Sequence, residues 1–144
     1  MSSLLRTFEG GCHCGALRFS FATALPVTEW SVRACQCGFC SAHGARTTSD
    51  PSGRLTFHVR QGDALQRYQF GLKTADFLVC RRCGVYLGAQ MDTAHGALGI
   101  INTRTLLPVP EDLPAAAKAD YSSESTSDRV ARRAQRWTPL AKVV

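Results

Sequence analysis

Seven cysteines stand in three tight groups along this chain of 144 residues, and they constrain its structure more than any other feature of the sequence. The groups are Cys12 with Cys14, then Cys35, Cys37 and Cys40, and finally Cys80 with Cys83. A disulfide framework favours an even number of cysteines in a short secreted chain with a signal peptide. The N-terminal residues contain no apolar stretch long enough for such a signal. We therefore expect a cytoplasmic protein, in which clustered cysteines indicate metal binding or redox chemistry.

The spacing within these groups favours zinc. In a Cys-x-x-Cys-Gly turn such as Cys80-Arg-Arg-Cys83-Gly84, both sulfur atoms can face one ion, and Gly84 is predicted to take backbone angles that a residue with a Cβ resists. Structural zinc takes four ligands in a tetrahedron, whereas catalytic zinc keeps three protein ligands and one open position. Seven cysteines divide as four and three, which predicts two zinc ions per chain, one in a closed site and one in an open site.

The assignment of cysteines to the two sites follows from their grouping, although spacing alone leaves other pairings open. Residues 35–40 can supply the open site by themselves, and the two cysteine pairs would then meet to form the closed one. His43 follows Cys40 at a Cys-x-x-His spacing and is an alternative fourth ligand, which would make both sites structural. A redox dithiol at Cys80 and Cys83 and an iron–sulfur cluster are weaker alternatives, because no βαβ pattern is visible and iron–sulfur spacings differ.

Short segments in which apolar and polar residues alternate predict a mainly β domain of antiparallel strands. No apolar run approaches the ~20 residues that a membrane span needs, and we expect one domain over residues 1–144. Six strands are predicted, within residues 17–21, 30–34, 55–59, 66–70, 77–79 and 97–103.

Residues 108–144 have a different composition from the rest of the chain. Three prolines between residues 108 and 114 exclude a central strand there and predict an extended connection. Ser125-x-x-Asp128 resembles a capping box and predicts a C-terminal helix. The apolar residues Val130, Ala134 and Trp137 form one stripe, so we expect docking through Val130 and Trp137 with the arginines in solvent; binding of an anionic ligand is the alternative role for those arginines. The arginines are Arg129, Arg132, Arg133 and Arg136.

The positive charge of the chain is weak evidence for a polyanionic partner. The formal charge is +6, and a basic domain suggests nucleic-acid binding. Seven thiolates with two divalent ions would lower that charge by three, to an ordinary value for a small protein. The arginines of the tail also lack the interleaved aromatic residues of a stacking surface, so we do not expect nucleic acid as a partner.

Three motifs in order resemble the glutathione-dependent formaldehyde-activating enzyme family, which shares a domain with centromere protein V. They lie at Gly10–Phe19, Cys35–Cys40 and Cys80–Gly84, and the resemblance covers roughly residues 8–105 of a family-like core at about 8–107. Val79 departs from the family pattern, which often has an aromatic residue there. The resemblance implies a β-tent fold with two zinc sites. By analogy, Cys12, Cys14, Cys80 and Cys83 hold the structural ion, and Cys35, Cys37 and Cys40 hold a second ion beside which glutathione binds.

The activity implied by this resemblance is that of a carbon–sulfur lyase, which reversibly adds glutathione or a similar thiol to formaldehyde or another small carbonyl compound. Zinc would contribute by deprotonating and positioning the thiol, because a free thiol has a pKa near ~8.5 and is mostly unreactive at neutral pH. Arg46, Arg81 and Arg82 are candidate anchors for the carboxylates of glutathione. The alternative function is a non-catalytic zinc-binding interaction domain, since the sequence identifies no catalytic acid or base.

Overall fold

The computed structural model describes residues 4–143 and is mainly β, as the sequence predicts. It contains two α-helices, α1 (Gly38–His43) and α2 (Thr126–Arg136), and two 3₁₀ turns at Val27–Glu29 and Thr103–Thr105 among the described residues. The strands within that range are β1 (Arg6–Gly11), β2 (Leu17–Thr23), β3 (Arg33–Cys35), β4 (Thr47–Thr48), β5 (Arg54–Val59), β6 (Leu65–Tyr68), β7 (Asp76–Cys80), β8 (Tyr86–Thr93), β9 (Gly96–Asn102), β10 (Ala117–Ala119) and β11 (Thr138–Val143).

Strand β2 shows how alternation in the sequence becomes burial in the fold. Leu17, Phe19 and Phe21 are at most 2% exposed, whereas the residues between them are only half-buried. The strand pairs antiparallel with β1 on one side and β5 on the other. The aromatic residues of this face pack with Trp30 and Leu55 into the larger of two core clusters.

Strand β11 connects the strands β1, β2 and β5 to the strands that pair with β9. It runs parallel to β5, with Leu140 opposite Leu55, and antiparallel to β9, with Thr138 opposite Gly99. Strand β9 also pairs with β4, from which the sheet continues through β3 to β10. On its other edge β9 pairs with β8, which is followed by β7 and β6. Two pairings are therefore parallel, β11 with β5 and β10 with β3, although the remaining pairings are antiparallel as predicted.

Two predicted strands are shorter than the sequence pattern indicates. The strand near the segment 30–34 is Arg33–Cys35, so only residues 33–34 of that segment are in a strand. Trp30 directly follows a 3₁₀ turn and is buried at 4% exposure. The segment 66–70 forms a strand that ends at Tyr68. Trp30 and Val32 alternate with exposed residues because both side chains are buried against the core, and this burial extends the pattern beyond the strand that begins at Arg33.

The C-terminal helix has the predicted start but presents a different face to the protein. Ser125 accepts a hydrogen bond from the backbone N–H of Asp128, and the Asp128 carboxylate accepts one from the N–H of Ser125, which completes the capping box. Val130 is 36% exposed, so the prediction that the helix docks through this residue was wrong. Trp137, at the end of the helix, is buried as expected, together with Arg133. None of the helices in residues 4–143 has the length and apolar character needed to cross a membrane.

Candidate metal centre and adjoining cavity

Four cysteines from two turns meet in space although they are distant in sequence. Cys12 and Cys14 lie between β1 and β2, whereas Cys80 ends β7 and Cys83 lies between β7 and β8. Their sulfur atoms all lie within 4.8 Å of one another. The Sγ atoms of Cys12 and Cys14 are 3.7 Å apart, and those of Cys14 and Cys80 are 3.6 Å apart. All four are free thiols rather than disulfides.

The geometry of this group fits a tetrahedral zinc ion. Thiolates at ~2.3 Å from zinc in a tetrahedron stand about 3.8 Å apart, close to the two sulfur separations observed here. The N–H of Leu17 donates to the Sγ of Cys12 at 3.3 Å, which helps to stabilise a thiolate. Gly15 and Gly84 directly follow the two turns with φ of +82° and +81°. The predicted role of Gly84 is therefore confirmed, because these angles are unfavourable for residues with a Cβ.

The other three cysteines are held together by a strand end and a short helix. Cys35 ends β3, Cys37 is the N-cap of α1, and Cys40 lies inside that helix. The N–H of Cys40 donates to the Sγ of Cys37 at 3.4 Å. The three sulfur atoms lie within 4.8 Å of one another, and no histidine or carboxylate of residues 4–143 joins them. The structure thus brings the seven cysteines together as four and three, while their role as ligands remains a prediction.

His43 does not take the place of a fourth ligand in this structure. Its Nδ1 atom lies 2.9 Å from the carbonyl oxygen of Phe39, and its ring packs against Phe39 with 4.4 Å between centroids. The aromatic cluster around Phe39 also includes Tyr86, which packs edge-on against it. His43 is therefore occupied by contacts within its own helix and with the neighbouring aromatic rings.

Each cysteine group contains one thiol that ionises easily and one that resists ionisation. A hydrogen bond from Cys40 lowers the pKa of Cys35 to about 5, whereas that same contact and then burial raise the pKa of Cys40. Burial raises the pKa of Cys80 to about 11. Burial acts in the same direction on Cys83, but N–H groups of Cys14 and Val85 outweigh it and lower the pKa of that thiol to about 6. Ligands must be deprotonated to bind zinc, so a full set of thiolates requires proton release from each group.

A cavity of about 160 Å³ adjoins the three-cysteine group. Its wall includes Cys35, Cys37 and Cys40 together with the aromatic rings of Phe70, Phe77 and Trp137, and it also includes several arginines. The arginines are Arg33 from β3 and Arg129, Arg132 and Arg133 from α2. The three-cysteine group, an apolar surface and cationic side chains therefore share one cavity.

The prediction that the arginines of α2 form a solvated face was wrong for three of the four. Arg133 is 7% exposed and its Cζ atom lies 4.7 Å from the ring centroid of Trp137. Arg129 and Arg132 are half-buried, and both donate to the carboxylate of Glu124, at 3.3 and 2.8 Å. Arg136 is exposed. Because Arg129, Arg132 and Arg133 stand at i, i+3 and i+4, they occupy one side of the helix, which is the side facing the cavity.

The buried arginines are held by neutral partners. Arg33 donates to the hydroxyl of Ser49 at 2.8 Å, and Arg133 donates to the hydroxyl of Thr74 at 2.7 Å. Burial, followed by the nearby charges of Arg132 and Arg129, lowers the pKa of Arg133 to about 10, and burial lowers the pKa of Arg33 as well. Both groups stay protonated at neutral pH. Two buried side-chain polar atoms of the described residues lack a hydrogen-bond partner, Arg133 Nε and the hydroxyl of Tyr86.

The candidate anchors from the sequence do not reach this cavity. Arg46, Arg81 and Arg82 are exposed and are absent from its lining. Sequence reasoning missed Arg33, which carries no motif, and it assigned Arg129, Arg132 and Arg133 to the wrong environment. The sequence contained one indication of their environment, because these three arginines form a stripe on the helix that is as regular as the apolar stripe.

Comparisons with known proteins give the family of this chain and a similar fold. A crystal structure of a Rhodobacter sphaeroides protein is similar, with a TM-score of 0.57 and 32% sequence identity over 77% of this chain and 99% of that chain. The sequence model described as glutathione-dependent formaldehyde-activating enzyme matches residues 7–121. This match contains all seven cysteines and ends before α2. The chain belongs to the glutathione-dependent formaldehyde-activating enzyme family.

Proposed function

We propose that this protein is a zinc-dependent enzyme of the carbon–sulfur lyase type, which reversibly joins glutathione or a similar thiol to formaldehyde or another small carbonyl compound. The observation that carries this proposal is that the three-cysteine group forms part of the wall of a cavity large enough for a small ligand. Membership of the family supports the choice of thiol and aldehyde.

The two cysteine groups have different roles in this proposal, one in folding and one in the reaction. Cys12, Cys14, Cys80 and Cys83 would hold a structural zinc that ties the β1–β2 turn to the β7–β8 turn. Cys35, Cys37 and Cys40 would hold a second zinc beside the cavity. When bound there, zinc supplies a position at which a substrate thiol is held as its thiolate. The absence of a fourth protein ligand among residues 4–143 favours this open arrangement over a non-catalytic scaffold.

The cavity wall contributes to the proposed reaction by limiting the access of water. Phe70, Phe77 and Trp137 exclude water from part of the space, which strengthens electrostatic interactions inside it. In the forward reaction the substrate sulfur forms a bond to the carbonyl carbon, the carbon–oxygen π bond breaks, and the oxygen takes up a proton. The thiol releases one proton, so the reaction is balanced without an oxidant or a reductant. Holding the sulfur and the carbonyl carbon close together is the main effect required of the protein.

Exchange between glutathione, formaldehyde and their adduct can be measured directly by NMR with ¹³C-formaldehyde. We expect zinc-loaded protein to accelerate this exchange and the Cys37→Ser variant to leave it at the uncatalysed rate. Binding of glutathione should also release a proton near neutral pH, seen as a heat of binding that varies with buffer ionisation enthalpy. Exchange at the uncatalysed rate with fully zinc-loaded protein would contradict the proposed activity.

A further inference from the structure

Two buried guanidinium groups in the cavity wall have no acidic partner. Arg33 and Arg133 are 9% and 7% exposed, and within residues 4–143 neither forms an ion pair. Their side-chain hydrogen bonds go to the hydroxyl groups of Ser49 and Thr74 and to the sulfur of Met91. A buried charge is costly unless it is paired, so these two groups require an explanation that packing does not supply.

The surroundings of the cavity provide only part of the missing negative charge. Four arginines line it, against the exposed carboxylate of Asp120, and Glu124 is already shared between Arg129 and Arg132. The three-cysteine group adds one negative charge, either as the Cys35 thiolate or as three thiolates with one divalent ion, so an excess of one positive charge remains around a space of about 160 Å³. The charge of Arg132 acts on both Arg33 and Arg133, so these three guanidinium groups lie in electrostatic range of one another.

The hydrogen-bonding capacity of Arg133 is only partly used. A guanidinium has five N–H donors in a planar fork that matches the two oxygens of a carboxylate. The Nε atom of Arg133 is buried without a partner, and Trp137 beneath the guanidinium limits its freedom to turn away. Because Arg133 lines the cavity, a restrained guanidinium with unused N–H donors is an arrangement suited to recognition of an anion.

We propose that Arg33 and Arg133 are specificity-determining residues of this cavity and bind a carboxylate of the thiol substrate or of its carbonyl adduct. This rests on the proposed function, because the three-cysteine group in the same cavity would receive the sulfur. Arg133 lies in α2, beyond residue 121 where the family match ends. The C-terminal segment of this chain therefore contributes to the choice of substrate.

The test compares two probes on the zinc-loaded full chain, S-methylglutathione and its diethyl ester, in which both carboxylates are blocked. We expect the wild-type protein to bind the free acid about 10–100-fold more tightly than the ester, the range for a hydrogen bond to a charged group. Arg133→Met should reduce this ratio nearly to one, and Arg133→Lys should give an intermediate ratio. Arg54→Met is the control, because Arg54 is exposed, lies outside the cavity and belongs to β5 rather than to the helix that lines the cavity; it should keep the wild-type ratio.

Two further measurements distinguish failure of the carboxylate site from misfolding of a variant and from failure of the proposed function. Zinc content and thermal unfolding establish that each variant is folded, and Arg33→Met provides a second variant if Arg133→Met fails to fold. Equal binding of acid and ester by the wild type, or an unchanged ratio in folded Arg133→Met and Arg33→Met, would overturn the carboxylate site. In cobalt-substituted protein, 2-mercaptoethanol tests the metal position independently. An unchanged cobalt spectrum together with an Arg133-dependent ester effect would refute the proposed chemistry and support the carboxylate site.

Discussion

The sulfur atoms of Cys14 and Cys80 lie 3.6 Å apart although 66 residues separate them in the sequence. This contact joins the turn after β1 to the turn after β7, two parts of the chain that otherwise belong to different regions of the β structure. One ion bound there would restrain both turns at once. The four-cysteine group can therefore be expected to affect folding more than the three-cysteine group, whose members all lie within residues 35–40.

Metal stoichiometry tests the division of the cysteines. Protein purified without chelator should contain about two zinc ions per chain by elemental analysis, because seven thiolates fill one closed and one open site. The ion in the open site should leave first during mild treatment with a chelator. A reproducible single equivalent that added zinc does not raise would leave Cys35, Cys37 and Cys40 as ordinary thiols.

Two serine substitutions test the different roles of the two groups. Cys80→Ser should unfold the domain or destabilise it severely, because binding to a closed zinc site contributes directly to folding. Cys37→Ser should leave a folded protein with one zinc fewer. Circular dichroism and zinc analysis on the same samples measure both effects. Comparable loss of secondary structure in the two variants would contradict the assigned roles.

Docking of the C-terminal segment depends on Trp137 rather than on Val130. Trp137 is 4% exposed and packs with the second core cluster, while Val130 is 36% exposed. Trp137→Ala should lower the free energy of unfolding by about 3–5 kcal/mol, whereas Val130→Ala should change it by less than about 0.5 kcal/mol. Urea unfolding of the zinc-loaded proteins measures both. Similar effects of the two substitutions would mean that the helix docks through its apolar stripe.

The carboxylate of Glu124 should stabilise the helix in a pH-dependent way. Hydrogen bonds from Arg132 are the main reason why its pKa is lower in the folded protein than in the unfolded chain. Its contribution is therefore complete above the unfolded pKa of about 4.3 and is lost as the pH falls through the lower folded value. Glu124→Gln should cost about 1 kcal/mol at pH 7, and the difference from wild type should persist to pH 5 and shrink below about pH 4.

The comparison for Glu124 is made between the two proteins at each pH, since zinc release at low pH affects both alike. Chemical denaturation at a series of pH values gives the difference in the free energy of unfolding. A difference that disappears between pH 7 and pH 6 would show that a group other than this carboxylate is responsible.

Local sequence patterns were sufficient to predict several strands, the start of the C-terminal helix and the grouping of the cysteines. Strand β2 follows from the alternation of Leu17, Phe19 and Phe21, the start of α2 follows from Ser125 and Asp128, and the grouping of the cysteines follows from their spacing. These features depend on neighbours in the sequence, which local patterns describe well. The division of seven cysteines into four and three was also predictable from their number and clustering.

Only the tertiary structure decided which face of α2 is buried and which strands pair with β11. The helix has two possible buried faces, an apolar stripe and an arginine stripe. The arginine stripe faces the cavity because Thr74, which is distant in sequence, and the ring of Trp137, which is held in the second core cluster, provide partners in addition to Glu124 just before the helix. Likewise, β11 lies between β5 and β9 because those two strands each leave an edge with unpaired N–H and C=O groups. Such partners are supplied by the folded molecule, and no local pattern in the chain specifies them.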